Sequence, residues 1–419
     1  MIKKIQQDFS YYSHEFKDNY RKGVHRLRTI LASRAQAQAF VSNAGGTAVV
    51  LGYEPDTPDK NAQELYALLA ASPYIDNAVQ TFLGSIYEAG AESQDAMYSD
   101  SARCLEILHD PVMSRAAGAG TVSAGKWIAT LAGQSCNLYR DMNAVAASDI
   151  AMTAVAASET AMEAVISGTI ALNAVAASKT AMTAVAANET AMAAVAASRV
   201  AMSAIIGNST ALNAVVTSSV AMAAVIGNST ALNAVVSSST AMAAIASSQT
   251  AMAAIASSQT AMAAIEKSQV AKDAIAASDM ATAKYAVGAA GLKPADYANM
   301  AAVAASQTAM AAIASSSTAR TAITNSATAK NALASSPLKT TVTKGNGNGW
   351  ENRTIRNGMG YLISCYNANS GGEAGSTWYK LDGAQTSQPA GTTNVGKFFT
   401  SSLAIYWWSS TSSVTYIPC

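Results

Sequence analysis

Residues able to do chemistry are few and dispersed. The histidines are His14, His25 and His109, with no HExxH pattern and no clustered Cys and His, so metal catalysis and a His-based triad lack their parts. Cys104, Cys136, Cys365 and Cys419 lack metal-type spacing and, with no secretory leader in view, read as free thiols. Gly120, Gly125 and Lys126 nearly spell a phosphate-binding loop, but Trp127 stands where a Ser or Thr must hold magnesium. Glu351, Glu373 and Asp382 are scattered rather than paired. The expectation is a protein that is not an enzyme and takes no cofactor or metal.

The residues that remain are aromatic. Trp378, Tyr379, Tyr406, Trp407 and Trp408 gather near the C-terminus, where an outward ring could stack on a sugar or anchor a protein contact. Trp407 and Trp408 are adjacent, so on a strand they point to opposite faces and at least one is a candidate for the surface. Packing inside a core or a subunit interface is the competing role for each of the five.

What must position them is an unusual chain. Its 419 residues carry a formal charge of +1, and 13% are charged, about half the share of an ordinary soluble domain. That balance argues against a whole-chain grip on nucleic acid. Hydrophobic residues reach 50% but aromatics only 6%, so much of the apolar share is alanine, which cannot fill a thick core. Ser, Thr and Asn interrupt every apolar run, and no membrane insertion is expected. The N-terminus shows no apolar leader segment, and synthesis in the host cytoplasm without a signal peptide is expected.

A decad explains this composition. From Asp141 to Met280 run fourteen consecutive ten-residue units with the consensus Ala-Met-x-Ala-Val-Ala-Ala-Ser-x-Thr. Position 5 is Val or Ile in all fourteen; position 8 is Ser or Asn in thirteen, with Gly168 the exception. Positions 1, 4, 5 and 8 form a helical face, and Ser or Asn at position 8 is a good helix N-cap. Position 10, where Ile170, Val200 and Val220 replace Thr, reads as inward. Ser72-Pro73 and Ser336-Pro337 place Pro directly after a capping Ser, as a helix start does, and Thr57-Pro58 marks another.

Ten residues fall about 80° short of three helical turns, so an apolar stripe would drift quickly round one long helix. The spacing therefore favours a mainly α rod of short, re-capped helices over a continuous coiled coil. The units lapse over residues 281–298, a joint or a decayed pair of repeats, and resume to Ser336. Each unit offers only Met and Val as large apolar groups, at about 1.5–3 kcal/mol apiece when buried. Ordering ten residues opposes this at roughly 1–2 kcal/mol each. Packing against sister chains, as a homotrimer, is expected to supply the difference.

The ends differ in composition. Residues 1–140 are charged and aromatic, with faint decads, and read as a mostly helical attachment domain; 141–336 form the shaft; 337–419 form a small β domain. Its expected strands are Tyr361–Tyr366, Trp378–Leu381, Lys397–Thr400, Leu403–Trp408 and Val414–Ile417.

The decad array resembles the repeats of bacteriophage tail fibres and related tail proteins, and it covers about half the chain. The resemblance implies a virion component of the tail, anchored to tail or baseplate proteins through residues 1–140. Its β-rich tip would contact a glycan or protein of the host surface. The alternative is a purely structural strut or collar whose tip binds another virion protein.

Overall fold

The computed structural model describes residues 10–16, 20–54, 59–88, 90–369 and 376–419. These are mainly helical, followed near the C-terminus by two four-stranded antiparallel sheets. They fall into two compact units, Met1–Val215 and Val216–Cys419. No single described helix is long and apolar enough to cross a membrane.

Each decad from Asp141 to Met280 is a separate helix, six residues long in the first (Met142–Ala147) and eight or nine in the others, such as Asp149–Ala157 or Lys179–Ala187. The Ser at position 8 adopts an extended backbone and accepts from the N–H three residues on, as Ser148 does from Ala151 at 3.2 Å. This cap ends one helix and starts the next. Helix Asp149–Ala157 turns 100° into Glu159–Ser167, and Thr169–Ala177 turns 96° into Lys179–Ala187. The array is thus a broken, re-capped one, not a continuous coil. At Gly168 the helix Thr169–Ala177 starts without a side-chain cap.

In each unit a helix packs on the third helix after it, as Asp149–Ala157 does on Lys179–Ala187 and Ser239–Ser247 on Gln269–Ala277. Three decads therefore make one superhelical turn. The cap serine joins the turns: Ser178 Oγ donates to the Ala146 carbonyl 32 residues earlier, and Ser278 Oγ to Ala246 at 2.8 Å. A carbonyl left unbonded at one helix end is thereby satisfied by the cap of another.

The buried positions are 1, 2, 5 and 6, not 1, 4, 5 and 8; Ala151, Met152, Val155 and Ala156 are typical. The stripe shifts because each helix faces the axis of a three-sided superhelix rather than a parallel partner. Position 10 is not part of the buried face: Ile150 is 73% exposed and Val200 62%, while Ile170 and Val220 are half-buried. A first-turn residue just after the cap lies on the outside of the corner. The Met and Val pairs are covered within one chain, so the need for sister chains inferred from their small bulk does not arise in this way.

The first unit includes helices Tyr20–Ala32, Lys60–Ala70 and Ile75–Tyr87 ahead of the decads. Tyr12 packs on Phe16 and Phe40, and the Arg115 guanidinium lies 3.5 Å over the Tyr53 ring and 4.3 Å over Tyr66. Ser72 precedes a short turn before the helix that begins at Ile75, while Thr57-Pro58 lies outside the described residues. No helix follows Ser336-Pro337. Ser336 instead accepts from Leu338 and donates to the Ala304 carbonyl, ending the array.

The interval 281–298 is the rest of a long helix followed by a loop. Helix Asp279–Ala289 ends at Gly291, whose φ of +79° suits glycine, and a return loop leads to Asn299, which caps the next helix.

The strands are β1 Thr340–Thr343, β2 Glu351–Asn357, β3 Gly360–Asn367, β4 Trp378–Leu381, β5 Ala384–Ser387, β6 Gly391–Phe399, β7 Ser402–Trp407 and β8 Ser413–Pro418. They form sheets of order β1-β8-β3-β6 and β2-β7-β4-β5. All five expected strands exist; β1, β2 and β5 were not foreseen. Leu362, Cys365, Phe399 and Val414 of the first sheet meet Tyr379, Leu403, Ile405 and Trp407 of the second in one core. The other face of the first sheet, through Tyr361, Ile363 and Ile417, packs on Met310, Ile313, Ile323 and Leu333 of the last decads. The β domain is therefore seated on the end of the array.

Candidate contact site on the outer sheet

Strand β7 reads Ser402-Leu403-Ala404-Ile405-Tyr406-Trp407, and its parity decides which aromatics face solvent. Leu403, Ile405 and Trp407 are inward, with Trp407 fully buried. Ser402, Ala404 and Tyr406 point outward, and Trp408 continues that row. Register then aligns Asn352 and Trp378 with Tyr406, and Ser387 with Trp378.

The outer face carries a row of rings. Trp350 stacks on Tyr406 with centroids 4.8 Å apart, and Trp378 stacks on Tyr406 at 5.3 Å. Trp408 meets Trp350 at 5.4 Å in an edge-on arrangement. Lys380 Nζ lies 4.5 Å over the Trp378 ring. Trp350 is 38% exposed, and exposed Asn352, Thr354, Gln385 and Ser387 surround the row.

Of the five candidate contact residues, Trp378, Tyr406 and Trp408 share this face. Tyr379 and Trp407 are corrected to core residues, because their parity turns them toward the first sheet. Trp350 joins the site without having been a candidate. Its signal was present, since it precedes an alternating segment, but β2 was not recognised and its partner strand was therefore unknown.

A tight hairpin holds the row. Asp382-Gly383 connects β4 to β5, with φ of +53° and +85°. The Asp382 carboxylate accepts from the backbone N–H groups of Thr400, Ser401 and Ser402 and from two hydroxyls. Partial burial would raise its pKa, but these hydrogen bonds outweigh it and lower the group to about 2. Asp382 is thus a turn anchor; Glu373 lies outside the described residues.

The remaining groups have structural occupations. Lys126 sits in helix Thr121–Leu131 and donates to the carbonyls of Cys136 and Tyr139. The amides at the start of that helix, Val122 and Ser123, donate to Asp76 Oδ1 at 3.1 and 3.0 Å, so a carboxylate already occupies the position a phosphate would take. Gly120 is required there, since a Cβ would stand 2.1 Å from that oxygen. Cys104, Cys136 and Cys365 are buried free thiols, and burial pushes Cys104 and Cys365 up to about 12. The side chains of Asn208 and Asn228, in glycosylation-type triplets, cap helices. Among the described residues no group of three or more His, Cys, Asp or Glu is placed to hold a metal.

No protein-family model matches the chain, and no curated protein matches its sequence.

Proposed function

We propose that the chain is a structural component of a bacteriophage tail, a fibre anchored by its N-terminal part and touching the host cell surface with the outer sheet of its tip. One observation carries this reading: one sheet of the sandwich is seated on the decads, while the other presents Trp350, Tyr406, Trp378 and Trp408 to solvent. A solvent-facing aromatic row on a fixed scaffold is the composition of a binding surface. The decads contribute length and orientation, and the resemblance to tail proteins supplies the setting.

A second reading, a strut or collar whose tip binds another virion protein, draws on the same row. Tyr406 has rings stacked beside it on both sides, so the row offers edges and a ridge more than a free ring face, which suits a flat protein contact. Self-association remains part of the proposal, with a trimer expected, but through surfaces other than positions 2 and 5.

The test uses the full chain carrying Trp350→Ala and Trp378→Ala together. Loss of binding to host cells with normal incorporation into particles supports the fibre. Loss of incorporation supports the strut, and unchanged behaviour in both assays removes the row from the function.

A further inference from the structure

The interval 281–298 has a twin. Helix Thr121–Leu131 and helix Asp279–Ala289 are both eleven residues long, and one constant offset, the one that carries Thr121 to Asp279, maps the segments that follow. Gly133 falls on Gly291, with φ of +73° and +79°. The 3-10 turn Cys136–Leu138 falls on Pro294–Asp296, and the extended caps Asp141 and Asn299 each accept from the amide three residues on at 2.9 Å.

The buried atoms agree as well. Lys126 Nζ reaches the carbonyls of Cys136 and Tyr139, both at 3.4 Å; Lys284 Nζ reaches those of Pro294 and Tyr297, at 3.1 and 3.4 Å. Lys126 differs in also pairing with the Asp95 carboxylate, which lies outside the segment. At the same offset, Ser158 Oγ donates to Leu131 O at 3.0 Å and Ser316 Oγ to Ala289 O at 2.9 Å. These two replace the 32-residue link of the plain decads, since the chain has just left and rejoined the superhelix. The exposed residues of the two loops have diverged: Asn137, Leu138 and Arg140 stand where Ala295, Asp296 and Ala298 do.

A buried ammonium is costly unless its protons are bonded: among the described residues Lys284 is met by the loop carbonyls alone, and Lys126 by the matching carbonyls together with Asp95. We infer that residues 120–141 and 278–299 are two copies of one start cassette, in which a helix lysine clamps its own return loop and delivers the chain to the first decad in fixed register. The cassette is a rigid joint, and the loop between lysine and cap is exchangeable between copies. The helices themselves are fitted to their neighbours: Gly288 backs onto the Ala256 carbonyl, whereas Thr130 at the matching place donates to Tyr98 O at 2.6 Å.

The test is made in the full chain. Lys284→Met should speed amide exchange in residues 290–298 by about tenfold or more. Lys272→Met, which restores the decad consensus at a partly exposed site, should leave that loop unchanged. Replacing residues 290–298 by 132–140, with Lys284 kept, should retain loop protection and the melting temperature to within a few degrees. Unchanged exchange in Lys284→Met, or an unprotected loop in the exchanged chain, would overturn the inference; the exchanged chain decides the matter even if Lys284→Met fails to fold.

Discussion

Ser178 holds two turns of the superhelix at once: its hydroxyl oxygen accepts from the Ala181 amide and its proton goes to the Ala146 carbonyl. Ser178→Ala removes a cap, at about 1 kcal/mol, and a cross-turn hydrogen bond of about 0.5–1.5 kcal/mol. A loss of about 2 kcal/mol is expected in chemical denaturation. Ser178→Asn should recover the cap, as Asn188 provides one.

Position 2 tests the core. Met182 is buried, and Met182→Ala should cost about 2–5 kcal/mol with the cavity it leaves. Thr180→Val, on the outer side of the corner, should change stability by less than about 0.5 kcal/mol. Paired melting curves of the two variants would show a reversed pattern if the buried face were 1, 4, 5 and 8.

Parity separates the tryptophans. Trp407→Ala should lower stability by about 3–5 kcal/mol. Trp408→Ala should cost far less, because its neighbour on the outer face is another exposed ring. Equal losses would mean that the strand is turned the other way.

Asp382 makes the hairpin acid-sensitive. Its carboxyl is held below the ordinary value of 3.8, at about 2, so the stability it adds is complete above pH 4 and is lost as the pH falls through that interval. The group is exposed, and the effect is correspondingly small. Near-neutral melting of Asp382→Asn should fall below that of the parent, and the difference should narrow as the pH falls from 4 toward 2.

Removing residues 337–419 should do more than remove a contact surface. Met310, Ile313, Ile323 and Leu333 lose the cover of Tyr361, Ile363 and Ile417, so the truncated chain should aggregate on size-exclusion chromatography. A soluble, sharply melting truncation would show that the last decads close by themselves.

The decad was legible because its signals are local: Ser148 caps three residues ahead, and Ala and Met favour helix wherever they stand. The buried face was misread because periodicity along one helix cannot show that helices meet at corners near 100°. The twin of 278–299 has no clear sequence signature, because the match lies in lysine-to-carbonyl contacts and a glycine turn, with few shared letters between. In the tip, alternation separated Trp407 from Trp408, but Trp350 needed a cross-strand register that no local pattern contains.

The three-helix turn of the array has an arithmetic of its own. Within Val216–Cys419, inserting a single decad ahead of Ser278 would swing the seated sandwich by a third of a circle, whereas three decads would carry it further along the axis and return the Trp350 ridge to its former bearing. Reach and aim are therefore separately adjustable by copying, and neither adjustment requires a new fold.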